Sequence, residues 1–119
     1  MIKNIRHTGI VVNDLEKSLW FYKEKMGFSV FKHSEESGDF IENILDLENL
    51  AVTTVKLALK NNQMIELLDF NTHKRDASES FINDIGPTHL AFTVSNLDKI
   101  YSDFSNDGIC FLSKPEICK

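Results

Sequence analysis

The stretch RHTGIVV, residues 6–12, decides how the chain is read, because its arrangement returns as THLAFTV at residues 88–94. Each segment is a histidine followed by a short run of β-forming residues. A lone histidine at a strand start is ordinarily a hydrogen-bonded structural residue. The same residue at the same point of two segments points instead to a repeated unit and a shared site. With His7 set on His89, an offset of 82 residues (89 − 7), Val12 meets Val94, Leu15 meets Leu97 and Lys17 meets Lys99.

Working outward, Asn13-Asp14 ends the first strand and Asp14 is placed to cap a helix. Leu15, Leu19, Tyr22 and Met26 then recur at steps of four, three and four, one apolar stripe of a helix. Trp20 and Phe21 adjoin it and are expected in the core. Gly27 stands where a helix end favours a left-handed residue, and Phe28 to Phe31 begin a second strand. Residues 33–50 have no clean period and predict a loop with a short helical turn. Residues 51–59 (AVTTVKLAL) and 64–70 (MIELLDF) predict a hairpin about Asn61-Asn62, and residues 71–86 a linker.

The second copy follows the same grammar. Asn96 takes the capping place, Leu97, Ile100, Tyr101 and Phe104 form the stripe, Gly108 ends the helix, and Cys110 to Leu112 start a strand. The expectation is one α+β domain made of a duplicated strand–helix–strand unit: a first module at 1–70, the linker at 71–86, and a second module at 87–119 that stops early.

The 119 residues suffice for a core without staples, and 42 % hydrophobic with 26 % charged residues is ordinary for a soluble globular protein. A net charge of −5 without a basic run argues against nucleic acid and anionic membrane. Cys110 and Cys118 form no CxxC and no disulfide framework, so reduced thiols are expected. No signal-peptide pattern or bilayer-length apolar run is present, and a cytoplasmic location is the expectation. His33 and His73 lie in polar surroundings and are expected at the surface. There is no glycine-rich phosphate loop, GxSxG or HExxH.

Strand alternation puts His7 with Gly9 and Val11 on one face, and His89 with Ala91 and Thr93 on one face of its own strand. The larger apolar residues alternate with them toward the helices. Each histidine thus points to the helix-free side, with a very small residue two positions on that leaves room for a ligand. Glu66, flanked by Ile65 and Leu67, is a carboxylate on a strand expected to be largely covered. Such a group is costly unless paired, protonated or bound to a metal. Two imidazoles and one carboxylate are a standard set for a divalent transition ion.

On H7TGIVV with N13DLEKSLWFYKEKMGF, N62QMIELLDF and H89LAFTVSNLDKI, the sequence resembles the vicinal oxygen chelate superfamily: glyoxalase I, methylmalonyl-CoA epimerase, extradiol dioxygenases, and fosfomycin and bleomycin resistance proteins. The resemblance implies paired βαβββ modules forming a cupped mixed sheet, the second module incomplete here at its C-terminus. It implies that His7, Glu66 and His89 are the metal ligands. The family's fourth ligand, a glutamate on the last strand, has no counterpart in the chain.

The activity implied is that of a metal-dependent lyase or isomerase of the glyoxalase I or methylmalonyl-CoA epimerase type. It would act on a small substrate with vicinal oxygens through an enediolate. The cofactor would be a divalent ion (Zn, Ni, Co, Mn or Fe), with Glu66 the one candidate base. The rival expectation is a non-catalytic, drug-sequestering protein. An iron dioxygenase fits poorly, since its carboxylate ligand is the one on the last strand. An unfinished sheet exposes a strand edge, and a homodimer is expected.

Overall fold

The structure is a computed structural model that describes residues 1–118. Its backbone divides into two compact units, Met1–Ala77 and a second that begins at Ser78.

The first unit is a four-stranded mixed sheet in the order β1-β4-β3-β2, with β1 Thr8–Val11, β2 Ser29–Ser37, β3 Ala51–Ala58 and β4 Met64–Phe70. β1 runs parallel to β4, while β3 is antiparallel to both β4 and β2. The chain between β1 and β2 crosses over through helix α1, Leu15–Leu19, which continues as a wide π turn over Trp20–Lys25. Asp14 caps α1 as expected, its Oδ1 accepting from the Lys17 N–H at 3.1 Å. The expected α-helix does not run unbroken to Met26: the Met26 N–H reaches the Phe21 carbonyl at 2.9 Å, five residues back. The stripe survives the change. Ile10, Val12, Leu15, Leu19, Tyr22 and Met26 pack on a core of Phe28, Val55, Leu57, Ile65 and Leu67. Trp20, expected in that core, is 40 % exposed, and Phe21 is half-buried with its ring against Tyr22.

The region 33–50, expected as a loop with a short helical turn, is more regular than that. β2 continues to Ser37, and a helix, α2, covers Asp39–Leu45. β2 is an edge strand, so polar residues occupy both of its faces and no hydrophobic alternation marks it. Its glutamates satisfy buried hydroxyls of β3. Thr53 Oγ1 donates to Glu35 at 2.6 Å and Thr54 Oγ1 to Glu36 at 2.8 Å. α2 sets Ile41 with Leu50 and Val52 in a second core, joined by Leu45, Leu47, Leu68 and Phe70. The sheet is thus covered by α1 on one face and by α2, at one end, on the other. The hairpin turn falls where expected: Asn62 has φ 64° and Asn61 Oδ1 accepts from the Gln63 N–H at 3.1 Å.

In the second unit α3, Leu97–Asn106, forms as expected, capped by Asn96 Oδ1 on the Lys99 N–H at 3.0 Å. Gly108 follows at φ 87°, as Gly27 follows the first helix at φ 83°. Residues 88–94 and 110–112, expected as strands, have no ladder partner among the described residues. A strand exists only through pairing, and among the described residues the first unit's four strands pair with one another.

Candidate functional site

The face of the sheet away from α1 carries the candidate site residues His7 and Glu66. The registers Gly9↔Glu66 and Lys56↔Glu66 set β1, β4 and β3 side by side, and Lys32↔Lys56 extends the row to β2. Two residues before Gly9, His7 lands on Glu66. His7 Nε2 lies 3.6 Å from Glu66 Oε1, and Lys56 Nζ lies 3.9 Å from Glu66 Oε2. The Glu66 side chain is 14 % exposed, so this carboxylate is largely withdrawn from water, with a cation and an imidazole as neighbours. His7 Nδ1 is buried without a hydrogen-bond partner among the described residues.

These groups floor a cavity of about 430 Å³. Arg6, Lys32, Ser34, Glu36 and Thr54 complete its polar lining, and Phe40 and Ile44 of α2 form an apolar wall. A larger and more open depression of about 960 Å³ lies by Val11, Leu47, Phe70 and residues 73–77. It holds neither His7 nor Glu66. Its ion pair, Lys74 Nζ to Asp69 Oδ1 at 3.1 Å, is solvent-facing on the lysine side. The smaller cavity is therefore the candidate site.

Two of the three expected metal ligands come together. His89 lies in the second unit, exposed, with its Nδ1 3.0 Å from Thr88 Oγ1. Among the described residues no three His, Cys, Asp or Glu side chains are gathered closely enough to hold an ion. The His7–Glu66 spacing does fit two corners of a metal site. A separation of 3.6 Å is too long for a hydrogen bond. Two donors each about 2.1 Å from a shared ion at a tetrahedral angle would stand about 3.4 Å apart. The unpartnered Nδ1 departs from the usual arrangement, in which a ligating histidine donates its other N–H to a fixed acceptor.

Lys56, Lys32 and α2 were not anticipated as parts of a site. The sequence did carry one signal: in AVTTVKLAL, alternation sets Lys56 on the face opposite Val55 and Leu57, a charge inside an otherwise covered strand. The expectations for His33 and His73 hold, both being exposed, and Cys110 and Cys118 are free thiols at the surface.

Comparison with known proteins agrees with this architecture. Residues 4–116 match the family model of the Glyoxalase/Bleomycin resistance protein/Dioxygenase superfamily. The chain is 32 % identical over 111 residues to the uncharacterized protein YwkD of Bacillus subtilis (strain 168), covering 92 % of this chain and 75 % of that one. A glyoxalase family protein from Bacillus cereus superposes with a TM-score of 0.82 at 22 % identity, over 91 % of this chain and 74 % of the other. The fosfomycin resistance protein FosX from Listeria monocytogenes superposes with a TM-score of 0.65 at 16 % identity, over 98 % and 78 %. A mixed sheet with a crossover helix on one face and a histidine–glutamate pair on the other is the build of a vicinal oxygen chelate module. The chain belongs to the Glyoxalase/Bleomycin resistance protein/Dioxygenase superfamily. No helix among the described residues is long and apolar enough to cross a membrane.

Proposed function

We propose that the chain is a metal-dependent, glyoxalase-like lyase or isomerase for a small substrate bearing vicinal oxygens, and that it works as a homodimer. The observation that carries this reading is the His7–Glu66 pair, 3.6 Å apart on the floor of a cavity, in a chain of this superfamily. His7 Nε2 and Glu66 Oε1 would hold a divalent ion, and His89 is the third ligand that the family resemblance assigns. When bound, such an ion supplies a Lewis acid to the paired oxygens of the substrate.

The chain's own residues do the rest. Glu66 has a second oxygen, Oε2, which lies 3.9 Å from Lys56 Nζ on the lining of the cavity. That same oxygen is our candidate for the base that takes a proton from a substrate carbon. Phe40, Ile44 and Leu68 give the cavity a wall of carbon against which an apolar part of a substrate can pack.

Elemental analysis after gentle purification is the test, on the wild type and on His7→Ala, Glu66→Ala and His89→Ala, each checked for its fold by circular dichroism. One divalent ion per chain, lost in each variant, is the expected result. Equal metal in all four proteins overturns the ligand assignment. A metal-free wild type that still captures a small molecule supports the second reading, a sequestering protein, which the unpartnered His7 Nδ1 favours.

A further inference from the structure

Across the free face of the sheet, one register row reads Gly9, Glu66, Lys56, Lys32 from β1 to β2. Lys56 has Glu66 on one side. On the other side it faces Lys32, a like charge directly across the strands, an arrangement that disfavours the folded sheet. Lys32 and Arg6 line the same cavity and have no ion-pair partner among the described residues. The acids lining it are Glu66, shared between His7 and Lys56, and Glu36, which accepts from Thr54. The chain as a whole carries 18 acidic against 13 basic side chains, so a cavity with three cations and two acids runs against the composition. A lysine on an edge strand often serves only to block edge pairing. That role would not require it to face a second lysine inside a cavity.

The opposite wall has its own oddity. Phe40 and Ile44, one turn apart on α2, are 74 % and 58 % exposed and yet line this cavity. Apolar side chains held open above Lys32, which has no ion pair among the described residues, and Lys56, which shares Glu66 with His7, match a molecule that is apolar at one end and anionic at the other.

We infer that the cavity takes a small organic anion, its carboxylate or phosphate head on Lys32 and Lys56 and its short apolar part against Phe40 and Ile44. The inference deepens the proposed function by naming a substrate class, and it rests on that reading only in taking this cavity as the substrate site. The head group sits on β2 and β3, while the metal pair joins β1 to β4, so the two can be tested apart.

The experiment uses the full chain, stripped of metal, at low salt. Hexanoate, hexyl phosphate and the neutral hexanamide are titrated against it, with amide resonances in NMR and the melting temperature as readouts. Hexanoate, hexyl phosphate or both should move resonances of β2, β3 and α2 and raise the melting temperature, whereas hexanamide should not. The tighter of the two anions identifies the head group. Lys32→Met and Lys56→Met should each weaken binding roughly tenfold or more. Lys32→Met should melt no lower than the wild type, because it relieves the repulsion with Lys56, so lost binding there is not lost folding. Equal response to hexanamide, or unchanged hexanoate and hexyl phosphate affinity in Lys32→Met, overturns the inference. His7→Ala separates the two ideas: it should lose metal and keep the anion. Metal uptake without anion binding sinks the substrate class alone, and anion binding without metal uptake sinks the metal reading alone.

Discussion

Removing the charge of Glu66 isolates what the Lys56–Glu66 contact contributes to the fold. At 3.9 Å, two unit charges attract by about 4 kcal/mol at an effective dielectric of about 20. Both side chains are mostly withdrawn from water, at 25 % and 14 % exposure, so desolvation offsets a large part of that attraction. A net coupling of about 1–2 kcal/mol remains. It lies above the value for exposed pairs, about 0–1 kcal/mol, and below the full Coulomb figure.

Glu66→Gln keeps the side chain's shape and leaves Lys56 with only Lys32 for a charged neighbour across the sheet. It should cost about 2 kcal/mol, or roughly 8 °C in melting temperature for a domain of this size. Lys56→Met should cost less, because the carboxylate keeps His7 at 3.6 Å. The double variant should then be more stable than the two single losses predict, by the 1–2 kcal/mol of coupling. Urea unfolding of the four proteins with chelator present, followed by far-ultraviolet circular dichroism, measures this directly. A coupling below about 0.3 kcal/mol would refute the view that Lys56 and Glu66 act as a unit.

Other perturbations read other parts of the molecule. Leu67→Ala, at a fully buried position between β1 and β3, should cost about 2–5 kcal/mol in urea unfolding, since the sheet cannot close around the space left. Asp14→Ala and Asn96→Ala should each lose about 1 kcal/mol by removing the caps on the Lys17 and Lys99 N–H groups, whereas Asp14→Asn should lose far less. Burial raises the pKa of Tyr22 above 10.0 and so favours its neutral form in the fold. The folded state then holds the proton more tightly than the unfolded one, so this contribution is complete below pH 10 and is lost as pH rises through the folded value. Tyr22→Phe should flatten that alkaline loss in a stability–pH profile. Gly9→Ala should stay within about 0.5 kcal/mol, because a Cβ there meets Leu68 Cδ1 at an ordinary 3.4 Å.

The sequence was most informative where a single physical period held. The stripe of Leu15, Leu19, Tyr22 and Met26 reaches the core although its helix widens into a π turn, because burial selects the stripe and the backbone adjusts to it. Asp14, Asn96, Gly27 and Gly108 do what their chemistry dictates, since caps and left-handed residues depend on neighbours within one turn. The start of β2 and a helical turn within 33–50 could be read, but the far half of β2 could not, because its partners are remote: Glu35 and Glu36 belong to a strand only through Thr53 and Thr54, 18 residues on. Trp20 misled for the converse reason. Adjacency to an apolar stripe along the chain does not place a residue on the stripe's face.

The site divides along the same line. His7 and Glu66 could be paired from sequence because a strand histidine and a covered carboxylate each announce an unmet need, and repetition at His89 strengthened the first. The cations could not be read that way, for Lys56 and Lys32 are ordinary residues until the register sets them opposite each other. That register also explains why the row is electrically ordered, with the acid toward β1 and the bases toward β2. Under the proposed function, a substrate with an anionic head would be drawn to the β2 side and away from Glu66, leaving the His7–Glu66 pair to face the part of the molecule that reacts. Reversing the order should therefore do more harm than deleting a charge. Lys56→Glu together with Glu66→Lys keeps the pair and the net charge but sets an acid beside Lys32. It should retain most of the fold's stability, while anion binding and metal uptake both fall.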